Sequence, residues 1–430
     1  MVLAVLASVS SIFAQEIRRD VSLADAMKLA IEHSPILAQA RADIRITLGV
    51  EIVAKSAFLP TVDATAGYNA RDAQLIESFG PTVVPLDQSW TAGLGITYVV
   101  YNGGGRIANL KAAQASKRAA EDRYRATLND VLLAVVNAYF DALLARDRIT
   151  VQEEAQTVLG EQLATAKKRF DAGTGQQFAV LQAEVALANA KPALINARSS
   201  YKLAIERLRE AAGVEYPPGM DGMSIRLTTG WPDNDAPHSL ETALKNARVK
   251  RPELAAADAL IDRARQELAG EVARTKPTVA ATGGYGFQSR NFSDDITEDP
   301  LHGWSAGFAV SVPLIDVGQS RGRRIQAEAR VESSQMAART RQLAVEGEVR
   351  QAWLAVEEAR EILSTATLVV KQAEEALRLA RAGFDAGAGT QLEVLESRFA
   401  LTQARLTNHA ATHQYHTAVA SLRRASGEPP

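Results

Sequence analysis

The chain is predicted to be a mixed α/β membrane protein: long antiparallel coiled-coil helices joined to a transmembrane β-barrel that takes four strands from each chain. Three observations predict it. The sequence is two copies of one unit, each copy carries heptads over very long stretches, and between those stretches the apolar period falls to two.

The duplication is anchored by Phe170-Asp171-Ala172-Gly173-Thr174-Gly175, which recurs 214 residues later as Phe384-Asp385-Ala386-Gly387-Ala388-Gly389. Ala138/Ala352, Tyr201/Tyr415 and Leu208/Leu422 keep that offset. Ser22/Ser239, Pro35/Pro252, Pro60/Pro277 and Tyr68/Tyr285 stand 217 apart. A change of three residues therefore falls between Tyr68 and Trp90, where a loop tip absorbs it. The repeats are read as residues 15–230 and 231–430, after an apolar stretch, 1–14, that resembles a secretory signal.

The helices come next. From Arg106 to Phe170 the pattern is nearly unbroken, which at 1.5 Å per residue predicts a helix of roughly 100 Å. After the Gly-rich turn, Val180, Ala183, Leu187, Ala190, Leu194, Ala197, Tyr201, Ala204 and Leu208 step by threes and fours, and Val394 to Leu422 repeat the steps. Large and small residues alternate along this seam, which suits knobs-into-holes packing. Pro192 is expected to kink its helix. The four tip glycines, Gly173, Gly175, Gly387 and Gly389, are expected to supply the positive φ of a tight reversal. No run of about 18 uninterrupted apolar residues follows the N-terminus, so no membrane-spanning helix is expected.

Four segments alternate with period two: about 61–71, 89–101, 278–288 and 303–315. One face of the first carries Val62, Ala64, Ala66 and Tyr68; the other carries Thr61, Asp63, Thr65 and Gly67. Aromatics (Tyr68, Trp90, Tyr101, Trp304) sit near the strand ends, as in barrels with lipid outside and water inside. Packed inward, the same strands would build a soluble sandwich, but no second sheet is available. Four strands leave edges that lipid cannot satisfy. Two chains would close eight strands, whose interior normally fills with side chains. The Gly, Thr and Ser face suits an open lumen, so three chains and twelve strands fit better.

Composition narrows the chemistry. Net charge is −2, without a nucleic-acid footprint. The absence of cysteine removes disulfides, thiolate metal sites and a lipidated cysteine. Asn102-Gly103-Gly104-Gly105-Arg106 lacks the ending of a phosphate-binding loop and reads as a strand-to-helix bend. No catalytic constellation and no cofactor motif stands out. His409, His413 and His416 share a helix face at a spacing that can bind zinc or copper. With no carboxylate within a turn, and with the seam beside them, they read as a solvated polar face.

Duplicated helix–strand–strand–helix halves, the paired Phe-Asp-Ala-Gly-x-Gly turns and the Pro-Thr-Val strand starts together resemble the TolC family of outer-membrane efflux proteins, over about residues 20–428. The resemblance implies a homotrimer in the outer membrane of a Gram-negative bacterium, with a long periplasmic α-barrel. It implies a passive exit duct for tripartite efflux or type I secretion. The hairpin tips, around Phe170, Gly173, Gly175, Phe384, Gly387 and Gly389, would meet a periplasmic adaptor (a membrane fusion protein) of an inner-membrane transporter. It also implies an acidic constriction, for which Glu393 and Glu396 are the matching pair. A spacing of three puts both on one helix face, where they would attract cations. Without the resemblance they read as solvated first-turn glutamates favoured by the helix dipole. The family's inter-hairpin arginine lock has no counterpart, since Gly389 and Ala179 occupy the aligned positions. The alternative function is a coiled-coil envelope scaffold without a pore.

Overall fold

The structure, a computed structural model, describes residues 20–72, 88–215, 225–233, 239–289 and 299–430. The apolar N-terminal stretch 1–14 and most of the predicted loop between Tyr68 and Trp90 lie outside the described residues. The first half contains α1 (Leu23–His33), α2 (Pro35–Ser56), β1 (Thr61–Ala70), β2 (Gln88–Asn102), α3 (Gly105–Asp171) and α4 (Gln177–Ala211). The second contains α5 (Leu240–Lys250), α6 (Pro252–Ala273), β3 (Thr278–Gln288), β4 (Leu301–Ser311), α7 (Gln319–Asp385) and α8 (Gln391–Ala425).

The repeat positions have local causes. Ser22 and Ser239 are N-caps whose hydroxyls accept from the backbone N–H groups of Asp25 and Thr242. Pro35 and Pro252 take the first helical position of α2 and α6, where a missing N–H costs nothing. The long helices α3 and α7 have 67 residues each, and α4 and α8 have 35 each. All four end in the same way: a glycine of positive φ donates three residues back, and the next N–H reaches five back. The glycines are Gly173, Gly213, Gly387 and Gly427. Helix α4 continues across Pro192 as a single element.

Two compact units cut across the repeats, and each draws on both halves. The first comprises the described residues of 1–42, 123–254 and 341–430. Its first core packs Ala26, Ala30 and Leu37 against Val135, Tyr139 and Leu143 of α3 and Ile205 and Leu208 of α4. The Tyr139 hydroxyl is fully buried, donates to the Thr229 carbonyl at 3.1 Å and accepts from the Thr229 N–H at 3.1 Å. A second core repeats the scheme with Ala243 and Ala247, Val345, Val349 and Val356 of α7, and Tyr415 and Leu422 of α8. The seam residues Ala183, Leu194, Ala197, Ala204, Val394, Ala404, Ala411 and Ala418 are buried, as the heptads require.

The other unit, 43–122 and 255–340, holds the sheet. Its four strands are antiparallel in the order β1-β2-β3-β4. The last strand stops at Ser311, short of the expected 315, because Pro313 has no N–H for the ladder.

A helix can have the length and mean hydropathy to span a membrane without an unbroken apolar run. Helices α3 and α4 each contain an 18-residue window apolar enough to do so. In α3 56% of that window is buried in the protein, so it serves a core; in α4 only 11% is buried. Alternation of alanine and larger apolar residues raises the hydropathy of both without an unbroken run of large side chains.

Candidate functional site: the bare sheet, the hairpin tips and the seam between hairpins

The ladder sorts the strands into two faces. One cross-strand row reads Ala64–Leu94–Tyr285–Trp304, and another Val62–Ile96–Gly283–Ala306. The rows between them, on the other face, read Thr65–Gly93–Gly286–Gly303 and Thr61–Thr97–Thr282–Gly307. The apolar face is open: Trp304 and Phe308 are each 80% exposed, and Val62, Leu94 and Val310 are also exposed. Among the described residues no second sheet covers it, which removes the sandwich. Both outer strands, β1 and β4, are edges. A wide apolar face next to unpaired backbone edges is stable where lipid covers the face and another strand pairs each edge. A scaffold without a pore gives this surface no purpose.

Each hairpin tip closes in four residues and a helix cap. Gly173 has φ +71° and Gly387 φ +75°. The second glycine of each tip does not have positive φ, contrary to the expectation; it is needed for space. A Cβ on Gly175 would sit 2.9 Å from the Phe170 nitrogen, and one on Gly389 3.1 Å from the Phe384 nitrogen. Phe170 is exposed and Phe384 half-buried. The guanidinium of Arg169 lies over the Phe384 ring at 5.1 Å, so the tips touch each other through a cation–π contact.

Glu393 and Glu396 are both exposed on the first turns of α8. They are unequal. The Glu393 carboxylate accepts from the Thr390 N–H at 3.2 Å while the Thr390 hydroxyl accepts from the Glu393 N–H at 3.3 Å, a reciprocal capping box. Glu396 makes no such contact.

Sequence reasoning missed Arg398, two residues beyond. It is 9% exposed, and its Nε finds no hydrogen-bond partner among the described residues. Burial, then repulsion from Arg381, pushes its pKa down to about 10 against a pull from Glu161. The repeat could have found it. Its first-half counterpart is Glu184, which pairs with Lys167 at 2.8 Å, and the counterpart of Lys167 is Arg381. An ion pair in one hairpin has become two arginines in the other.

The histidines are not a solvated face, and this is the largest correction. Helix α8 runs antiparallel to α3 along a polar ladder. Arg405 Nη1 meets Glu154 at 2.9 Å, His409 Nδ1 meets Asp147 at 3.4 Å, and His413 Nε2 meets Asp141 at 2.8 Å. Below them His416 packs on Phe140, with ring centroids 5.9 Å apart, and Arg424 Nε donates to Asp130 at 2.7 Å. His416 is 5% exposed and stacks on Trp231 at 5.5 Å. Burial, with His413 adding repulsion, lowers its pKa. Burial would raise the Asp147 pKa, but bonds from His409 and Trp231 and the charge of Arg146 outweigh it and hold the group low. The carboxylates missing from the helical turn come from a different helix. No cluster of three or more metal-ligating groups forms among the described residues. Within each hairpin the heptad residues bury an apolar seam flanked by ion pairs such as Lys167–Glu184 and Arg405–Glu374; between hairpins the contacts are ionic and aromatic.

Comparison with known proteins agrees with this geometry. The profile of the outer membrane efflux protein family matches residues 26–214 and 243–428, once on each repeat. The outer membrane protein TolC of Vibrio cholerae is 25% identical over 408 residues, 94% of this chain and 90% of that one. Protein CyaE of Bordetella pertussis is 28% identical over 416 residues, 95% and 84% of the two chains. The fold of the CmeC outer membrane channel of Campylobacter jejuni superposes with a TM-score of 0.79 at 18% identity, covering 94% of this chain and 85% of that one. Heptad hairpins, a bare four-stranded sheet and the doubled profile lead to one conclusion: the chain belongs to the outer membrane efflux protein family, and it is an outer-membrane channel for efflux or secretion.

Proposed function

We propose that three copies of this chain close a twelve-strand barrel and a helical duct, and that the duct opens at the hairpin tips. The observation that carries the trimer is the sheet with two free edges and a bare apolar face. A second stripe supports it. On α4, Phe178, Leu181, Val185, Ala188, Pro192 and Ile195 repeat by threes and fours, and the four large ones are more than half exposed. Their counterparts Leu392 and Phe399 on α8 are bare as well. A helix with heptad stripes on two sides has a partner on each, and the chain itself covers one. Neighbouring protomers cover the other.

The chain acts as a passive, non-catalytic duct. Its tips, at Phe170, Gly173, Gly175, Phe384, Gly387 and Gly389, meet a periplasmic adaptor, and an inner-membrane transporter supplies the energy. Relatives named for alkaline protease secretion in Pseudomonas aeruginosa and for cobalt-zinc-cadmium resistance in Cupriavidus metallidurans fit such a division of labour. Opening separates the hairpins along α3 and α8, since an ionic seam exchanges its partners for water at less cost than an apolar one. Arg405, which also reaches Glu374 at 3.0 Å, and the Arg169–Phe384 contact hold the closed state in place of the family's lock. Glu396 supplies the negative ring at the constriction, while Glu393 divides its charge between the ring and the cap. Light scattering of the detergent-solubilised protein and single-channel recording test this reading together. Three protomers per particle and a cation-preferring conductance that Glu396→Ala weakens more than Glu393→Gln are expected. A monomeric mass, or no conductance, refutes it.

A further inference from the structure

The polar face of the sheet carries a single ionisable side chain among the described strand residues, Asp63 of β1. Its cross-strand row reads Asp63–Gly95–Gly284–Ser305. The neighbouring rows on that face hold threonine and glycine. Gly95 beside the carboxylate, and Gly284 beyond it, leave it room and give it no cation. Asp63 is exposed and forms no ion pair among the described residues, and its row lies within the strands, away from both ends. A strand that needed only a polar face could place threonine here, as it does at Thr61 and Thr65.

We infer that Asp63 sets ion preference inside the barrel, as a second negative belt separate from the one at the tips. The inference rests on the trimeric channel proposed above, which brings three copies of Asp63 to one level of the lumen. Twelve strands spaced about 4.8 Å apart and tilted about 40° enclose a backbone radius of roughly 12 Å. The Debye length is about 10 Å in 0.1 M salt and 3 Å in 1 M. The field of the belt therefore reaches the axis at low salt and is confined to the wall at high salt. The species favoured are cations and cationic solutes; anionic ones are slowed.

The chain has no cysteine, which makes the test clean. Thr65→Cys places a thiol on the same face, two residues from Asp63. In the trimer at about 0.1 M salt, a cationic thiosulfonate reagent should modify it at least threefold faster than an anionic reagent of equal size. Adding Asp63→Asn should bring the ratio close to one, and so should 1 M salt. This readout enters from the extracellular side and does not depend on the tips. Reversal potentials in a Glu393→Ala, Glu396→Ala background should move toward zero again when Asp63→Asn is added. A rate ratio unchanged by Asp63→Asn overturns the assignment while leaving the channel intact. A thiol at position 65 that no water-soluble reagent reaches, together with no wild-type conductance, overturns the channel reading and this inference with it.

Discussion

Reversing one residue on each face of the sheet tests the membrane assignment directly. Leu94 is the seventh of fifteen residues in β2 and stands mid-row between Ala64 and Tyr285 on the apolar face. Ten residues of β1 at about 3.3 Å each, tilted about 40°, rise roughly 25 Å, the height of the apolar band of such barrels. Leu94 is then close to the bilayer midplane. Leu94→Arg should cost about 2–4 kcal/mol per protomer, roughly a 30- to 900-fold loss in the folding equilibrium. Thr65→Arg, on the opposite face beside Gly93, should cost under about 1 kcal/mol, because its head stays in water. Urea titration of vesicle-reconstituted protein, followed by tryptophan fluorescence, reads both, since Trp90 and Trp304 lie on the lipid face. A large loss from Thr65→Arg with Leu94→Arg tolerated would mean that the faces are inverted and the barrel argument is wrong.

Three further perturbations probe the frame. Tyr139→Phe leaves the Thr229 N–H in a core without its acceptor and should lower unfolding stability by about 1–3 kcal/mol; a change near zero in denaturant titration would show that the bond is not formed. Gly175→Val should destabilise the tip by about 1–3 kcal/mol through a backbone clash, whereas Gly173→Ala should cost about 1 kcal/mol from its positive φ. Hydrogen exchange at the tip amides separates the two, and equal protection in both variants would contradict the geometry. His416 has a folded-state pKa below its unfolded one, so the native state binds fewer protons in that window. Its contribution to stability is full above about pH 6.5 and declines as the pH falls below it. His416→Phe should flatten the acid limb of a stability–pH curve, and an unchanged limb would place the acid sensitivity elsewhere.

Much of this molecule is legible along the chain because its patterns are local. Helix length follows from a seam repeated every seven residues, and strand faces follow from alternation over ten. The caps at Ser22 and Ser239, the first-turn prolines and the tip glycines act within five residues of themselves. The histidine cluster shows the boundary. Its spacing was visible, but its meaning depended on Asp141, 272 residues away in sequence, and on Trp231.

The sequence by itself determined the duplication, the two periodicities and thereby a membrane sheet carried with long coiled coils, since each rests on backbone geometry that repeats within a few residues. Only the tertiary structure decided which helix faces meet. It showed the ladder of charged and aromatic side chains between α3 and α8, Arg398 buried beside Arg381, and Asp63 facing Gly95 across the strand pair. Those facts depend on register between segments far apart in the chain, and side-chain pairing across that distance leaves no periodic trace.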